Sequence, residues 1–162
     1  MAARPVPANP VPEKIISGGQ SGVDRAALDV ALERGIPCGG WAPKGRRAED
    51  GVIPERYPLR ETPGEDYRER TRLNVRDSDA TLVLTGNLPQ GGTLLTIEEA
   101  EARGRPHLVV DLSRAPDPGR AARWLRLSGA GVLNVAGPRE STVPGIHQTA
   151  SRFLKAVLDL TR

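Results

Sequence analysis

The chain is poor in aromatic residues and has a single cysteine. Among its 162 residues there are one Phe, two Tyr and two Trp, 3% of the total. A core must therefore be built from Val, Leu, Ile and Ala, and a stacking platform for nucleic acid is not expected. Cys38 alone excludes an internal disulfide and a cysteine-based zinc site, and it fits a reducing, cytoplasmic setting. Two histidines, His107 and His147, are too few for a histidine-built zinc hydrolase, so no metal ligands are assigned. No apolar run approaches the roughly 18 residues of a membrane span. Residues 1–13, "MAARPVPANPVPE", lack the apolar stretch of a secretory signal and are expected to form a flexible arm. There is no G-x-x-x-x-G-K-[ST], no G-x-G-x-x-G with a following acid for a ribose, and no G-x-S-x-G.

What remains is the composition of one globular domain, expected over residues 14–162. Hydrophobic residues make up 38% and charged residues 27%, and the formal charge is +3 with acids and bases interspersed. Short apolar runs alternate with helical patterns. Strands are expected at 14–17, 80–85, 106–111 and 131–137, and helices at 21–34, 64–79, 93–103, 119–127 and 145–160. That alternation predicts an α/β fold, a Rossmann-like three-layer sandwich with a mainly parallel sheet. Residues 36–63 read as an irregular Gly/Pro-rich connection with short strands near Cys38 and Tyr57, long enough to suggest a functional loop.

Ligands of such sheets bind beyond the carboxyl ends of the strands. Three loops there have unusual chemistry. "SGGQSGVD" places Gly18, Gly19 and Gly22 where the backbone can approach a ligand, with Gln20 and Ser21 as donors and Asp24 in the first helical turn. A helix N-terminus with bare backbone is an anion site; the plain alternative is a tight turn capped by Ser21. "TGNLPQGGT" repeats the device with Gly86, Gln90, Gly91, Gly92 and Thr93. "NVAGPRES" offers Arg139, which can clamp a phosphate or simply pair with Glu140. A basic stretch carrying Lys44, Arg46 and Arg47 could close over an anion, or be a solvated charge run. The two histidines and Cys38 are taken as structural or surface residues.

The blocks "GGQSGVDRAALD", "GGWAPKGRRAEDG", "YRERTRLNVRDSDATLVL", "GGTLLT" and "NVAGPRES" together resemble the putative molybdenum carrier family, the circularly permuted branch of the SLOG superfamily. The resemblance covers nearly all of the chain after Lys14. It implies a Rossmann-like fold and binding of the molybdenum cofactor, a phosphate-bearing pterin, for protection and carriage without chemistry on it. It also implies a cytoplasmic homo-oligomer, a tetramer or dimer, that hands its cargo to molybdoenzymes, with no nucleic-acid or membrane partner. The wider superfamily implies two alternatives: a nucleotide-binding sensor, and a nucleoside-monophosphate phosphoribohydrolase-like enzyme. For the enzyme, relatives carry P-G-G-x-G-T-x-x-E, whereas "PQGGTLLTIEE" has Leu94 or Leu95 near the third glycine and Glu98 or Glu99 near the acid. No catalytic residue is assigned.

Overall fold

A computed structural model describes residues 12–161. The arm expected over 1–13 falls almost wholly outside them. Of its last two residues, Pro12 is buried and the Glu13 amide donates to the Gly131 carbonyl.

Five helices surround a five-stranded parallel sheet. The strands are β1 (Lys14–Ile16), β2 (Cys38–Gly39), β7 (Ala80–Thr85), β8 (His107–Asp111) and β9 (Val132–Ala136), in the order β2-β1-β9-β7-β8. The helices are α1 (Val23–Arg34), α2 (Tyr67–Arg76), α3 (Gly91–Ala102), α4 (Pro118–Ser128) and α5 (Ile146–Leu160). Four short strands lie outside the sheet: β3 (Trp41–Ala42) pairs with β6 (Arg60–Glu61), and β4 (Arg47–Ala48) with β5 (Gly51–Val52).

The main core lies between one sheet face and α1, α4 and α5. It is aliphatic: Ile15, Leu82, Leu84, Leu133 and Val135 from the strands meet Val23, Ala27, Val30, Leu125, Leu154 and Val157. Only Phe153 among its fully buried members is aromatic. The helices α2 and α3 pack on one another on the opposite side. There the sheet is partly polar, with Thr81, Thr85 and Asn134 buried and Asn134 Nδ2 donating to Thr81 Oγ1 at 3.4 Å.

Two local expectations are corrected. Ser21 does not cap α1; Gly22 does, at φ 80°, with no side-chain cap bond. The spacing of Leu28 and Leu32 predicts that both widen the buried face of α1, but Leu32 is 42% exposed. The expected stop holds, because Gly35 adopts a left-handed conformation (φ 68°) and donates back to Ala31 and Leu32.

The connection 36–63 is ordered rather than a loose flap. Ile53, Tyr57 and Ala42 pack with Leu28 in a second small core. Arg46, at φ 53°, turns its guanidinium onto the carbonyls of Ile53, Pro54, Tyr57 and Leu59. Four backbone acceptors tie that charge to the fold, so it is not available to a ligand.

Candidate functional site

In this strand order the chain runs from β1 toward β2 on one side and from β7 toward β8 on the other, with β9 between them. Loops leaving β1, β9 and β7 therefore part at one point on the carboxyl edge, where an open α/β sheet has its crevice. A cleft of about 550 Å³ opens there. Gly18 and Gln20 line it from the β1 loop, Gly137 to Arg139 from the β9 loop, and Asn87 and Pro89 to Thr93 from the β7 loop and the start of α3. One face of α2 closes it with Tyr67, Arg70, Thr71 and Asn74.

The two glycine loops differ in what they offer. At α1 three of the first four helix amides, those of Val23, Arg25 and Ala26, are already used. Val23 N–H donates to Pro138 O (3.2 Å) and Arg25 N–H to Gln20 O (3.0 Å). Gln20 N–H points to Asp24 Oδ2 at 3.4 Å. The glycines serve close packing: a Cβ on Gly22 would collide with the Pro138 carbonyl, and one on Gly19 would lie 2.9 Å from Ile53 Cδ1. Gln20 Oε1 accepts from the amides of Ser21 (3.0 Å) and Glu49 (2.8 Å). Ser21 Oγ donates to Glu49 Oε1 (2.5 Å) and accepts from Glu140 N–H (3.2 Å).

At α3 the opposite holds. Gln90 occupies the cap position without a side-chain bond, and among the described residues neither the Gly91 nor the Gly92 amide has an acceptor. A Cβ on either glycine would meet nothing within 4 Å. Two unpartnered amides thus stand at the positive end of a twelve-residue helix, at one end of the cleft, the arrangement by which helix N-termini hold anions in other proteins.

Two guanidiniums complete it. Arg139 is exposed and makes no ion pair or hydrogen bond through its side chain among the described residues. Glu140, its possible surface partner, instead caps α5, accepting from Gly145 N–H (2.6 Å) and His147 N–H (3.0 Å). Arg70 Nη1 donates to Gly18 O at 2.8 Å, and its guanidinium lies 5.4 Å from the Tyr67 ring centre. Burial pushes the Arg70 pKa down, Asp24 and Tyr67 oppose that, and Arg139 adds to it. The two like charges share one cleft and repel.

Asp24 lies in the same cleft. It is 7% exposed, and burial raises its carboxyl to about 6 against the opposing pull of Arg70. A Cβ on Gly18 would fall 2.9 Å from both Asp24 Oδ2 and Arg70 Nη1, so the pair closes on one bare backbone position.

Of the residues singled out in the sequence, the cleft brings together Gly18, Gln20, Asp24, Gln90, Gly91, Gly92, Thr93 and Arg139. Gly19, Ser21, Gly22, Lys44 and Gly86 do not line it. Lys44 is exposed on the β3–β4 turn. Gly86 is bare because a Cβ would lie 2.7 Å from Val143 Cγ1. Glu98 and Glu99 are outside as well; Glu99 pairs with Arg103 at 2.8 Å. The sequence reading missed Tyr67, Arg70, Thr71 and Asn74. Their spacing (i, i+3, i+4, i+7) was the available signal, a helical face of ligand-type residues where core residues would otherwise stand. Asn74 acts as a brace, its amide bonded both ways to the Trp41 backbone at 2.8 and 3.1 Å.

Trp41, His147 and Cys38 do not line this cleft. Trp41 donates Nε1–H to Asp77 (2.7 Å). His147 Nε2 lies 2.8 Å from Asp29 Oδ2. Cys38 packs half-buried against both cores, and burial raises its thiol pKa. Among the described residues no group of three or more His, Cys, Asp or Glu could hold a metal, and no helix is long and apolar enough to cross a membrane.

Fold and cleft together define a Rossmann-like α/β domain with a ligand-type site at the topological switch point. Residues 15–158 match the model of the circularly permutated YpsA SLOG family, and the chain belongs to that family. The crystal structure of a putative molybdenum carrier protein from Syntrophus aciditrophicus SB is similar over 92% of this chain and 96% of that one, with 46% sequence identity and a TM-score of 0.88. No curated protein matches the chain.

Proposed function

We propose that the domain binds the molybdenum cofactor as cargo, holding its phosphate at the start of α3 and its pterin across the cleft, and carries it without altering it. The observation that carries this reading is the pair of unpartnered Gly91 and Gly92 amides in a cleft shared with Arg70 and Arg139. Charge-assisted hydrogen bonds of this kind contribute about 1.5–3 kcal/mol each. The fit extends beyond the phosphate. The cleft volume of about 550 Å³ is in the range of small-molecule sites. Tyr67, 47% exposed at its wall, offers a ring face to a flat heterocycle. Cys38 is absent from the lining, so the protein supplies no thiolate to the metal end, as suits a site that must give its cargo up. A cytoplasmic homo-oligomer passing the cofactor to molybdoenzymes is the setting in which this activity makes sense. The name of the similar crystal structure supports the reading.

A second reading has one observation in its favour. Asp24 is a buried carboxyl with a raised pKa inside the cleft, the kind of group a nucleotide N-glycosidic hydrolase needs. One experiment separates the two. Anaerobic native mass spectrometry is run with molybdenum cofactor and, separately, with nucleoside monophosphates, on the wild type and on Gly92→Asp. Gly92 has room for the new side chain, which puts a carboxylate at the phosphate position. The carrier reading expects intact cofactor retained by the wild type and lost from the variant. Release of free base from a nucleotide, with no cofactor bound, would replace it with the hydrolytic reading.

A further inference from the structure

The cleft holds one feature that anion binding alone does not require. A site for a phosphate has no need of a carboxylate against one of its two arginines. Yet Asp24 and Arg70 flank the same bare position at Gly18, and both line the cleft. Arg70 cannot swing away freely, because Gly18 O holds Nη1 at 2.8 Å. Its charge is thus shared between a fixed internal carboxylate and any incoming anion.

We infer that anion binding in this cleft is coupled to a proton at Asp24: a bound anion takes up the charge of Arg70 and favours the neutral carboxyl, whereas in the empty cleft the nearby Arg70 favours the ionised one. The inference rests on the proposed anion site and concerns its regulation.

The groups around Asp24 support the coupling. Arg70 from α2 and Arg25 from its own helix favour the ionised form. Arg25 is largely committed elsewhere, bonded through both terminal nitrogens to Asp50 at 3.0 Å. Arg139 acts from across the cleft, on Arg70. Tyr67, on α2, faces Arg70 rather than Asp24. From the hairpin, Glu49 bonds to Ser21 and Asp50 to Arg25. From β1, Ser17 lies within hydrogen-bonding reach of Asp24. Ser17 and the Gln20 N–H, like the arginines, favour the ionised carboxyl, so burial is what holds the proton in the empty cleft. Burial already places the empty-state carboxyl at about 6, and a bound anion raises it further. Between that value and the higher loaded-state one, binding therefore draws in up to one proton, and affinity falls by up to about tenfold per pH unit. Below the empty-state value Asp24 is already neutral and affinity is flat. Neither histidine lines the cleft.

The test is calorimetric titration with inorganic sulfate, whose charge is constant between about pH 5 and 8, in buffers of different ionisation enthalpy. The expected result is net proton uptake, up to one proton, above about pH 6, little at the lower end of the range, and a loss of affinity of up to about tenfold per unit where uptake is seen. Asp24→Asn is expected to bind at all pH values as the wild type does at the acid end. Wild-type proton counting stands by itself if that variant folds poorly. Sulfate binding that is lost in Arg139→Ala but takes up no proton and does not vary with pH would overturn the coupling and leave the anion site standing. No sulfate binding at any pH would overturn both.

Discussion

At the residue scale, Gly22 and Gly92 have opposite uses, and substitution distinguishes them. Gly22 sits at φ 80° with the Pro138 carbonyl against it, so its missing Cβ lets two loops touch. Gly22→Ala should cost about 1–3 kcal/mol from backbone strain alone and lower the melting temperature by several degrees. Gly92 faces open space, outside the left-handed region, so Gly92→Ala should melt within a degree or two of the wild type while weakening anion binding. Thermal melts paired with a binding titration check both. Arg139 behaves like Gly92. Exposed and unpaired, it should be removable at a stability cost below about 0.5 kcal/mol, with a tenfold or greater loss of affinity for a phosphate-bearing ligand. Asp24 is a stability determinant of the opposite sign. Its folded-state pKa of about 6 exceeds its ordinary 3.8, so the folded protein holds the proton more tightly than the unfolded chain. The stabilisation that Asp24 contributes is fullest below about pH 4 and is lost as pH rises toward 6, an amount of order 3 kcal/mol. Denaturant unfolding across that window should show the decline in the wild type and its absence in Asp24→Asn.

At the scale of elements, the β4–β5 hairpin clasps two cleft-forming loops. Glu49 at its tip accepts from Ser21 Oγ at 2.5 Å, from Ser141 N–H at 3.0 Å and from Ser141 Oγ at 2.5 Å. Burial opposes ionisation of Glu49, but hydrogen bonds from Ser141 and Ser21 outweigh it and hold the carboxyl below its ordinary value. The clasp is therefore intact above the unfolded Glu range and released as pH falls through the lowered value. Amide hydrogen exchange at neutral pH should show faster opening of residues 46–52 and 140–143 in Glu49→Ala, with the sheet strands unchanged. The same clasp explains what was legible in the sequence and what was not. The six-residue run of β7, the alternation of strand and helix, and the three loops at one sheet edge follow from local pattern, and all stand in the fold. The role of "GGQSG" does not, because the partners of Gln20 and Ser21 come from Glu49 and Glu140, 29 and 119 residues away. A polar loop before a helix reads the same whether its donors face a ligand or another loop. The ligand face of α2 was within reach of helical spacing, but its charge made it read as solvent-exposed.

At the scale of the whole molecule, topology assigns the roles. The last strand in the chain, β9, lies at the centre of the sheet and pairs with both β1 and β7. Its loop therefore lies between the other two and places Arg139 in a cleft whose other walls come from residues 18–24 and 67–93. No single segment contains the site. The α1 end supplies a packed, acid-bearing wall, and the α3 end supplies free amides. The central claim is that the anion sits at α3 and not at α1. It is tested most directly by following backbone amide resonances of the glycines while a phosphorylated pterin is added. The account predicts that Gly91 and Gly92 shift downfield in a saturable way, while Gly19 and Gly22 stay in place and Gly92→Asp abolishes the response. Saturable shifts confined to Gly19 and Gly22, or none at any of the four, would contradict it.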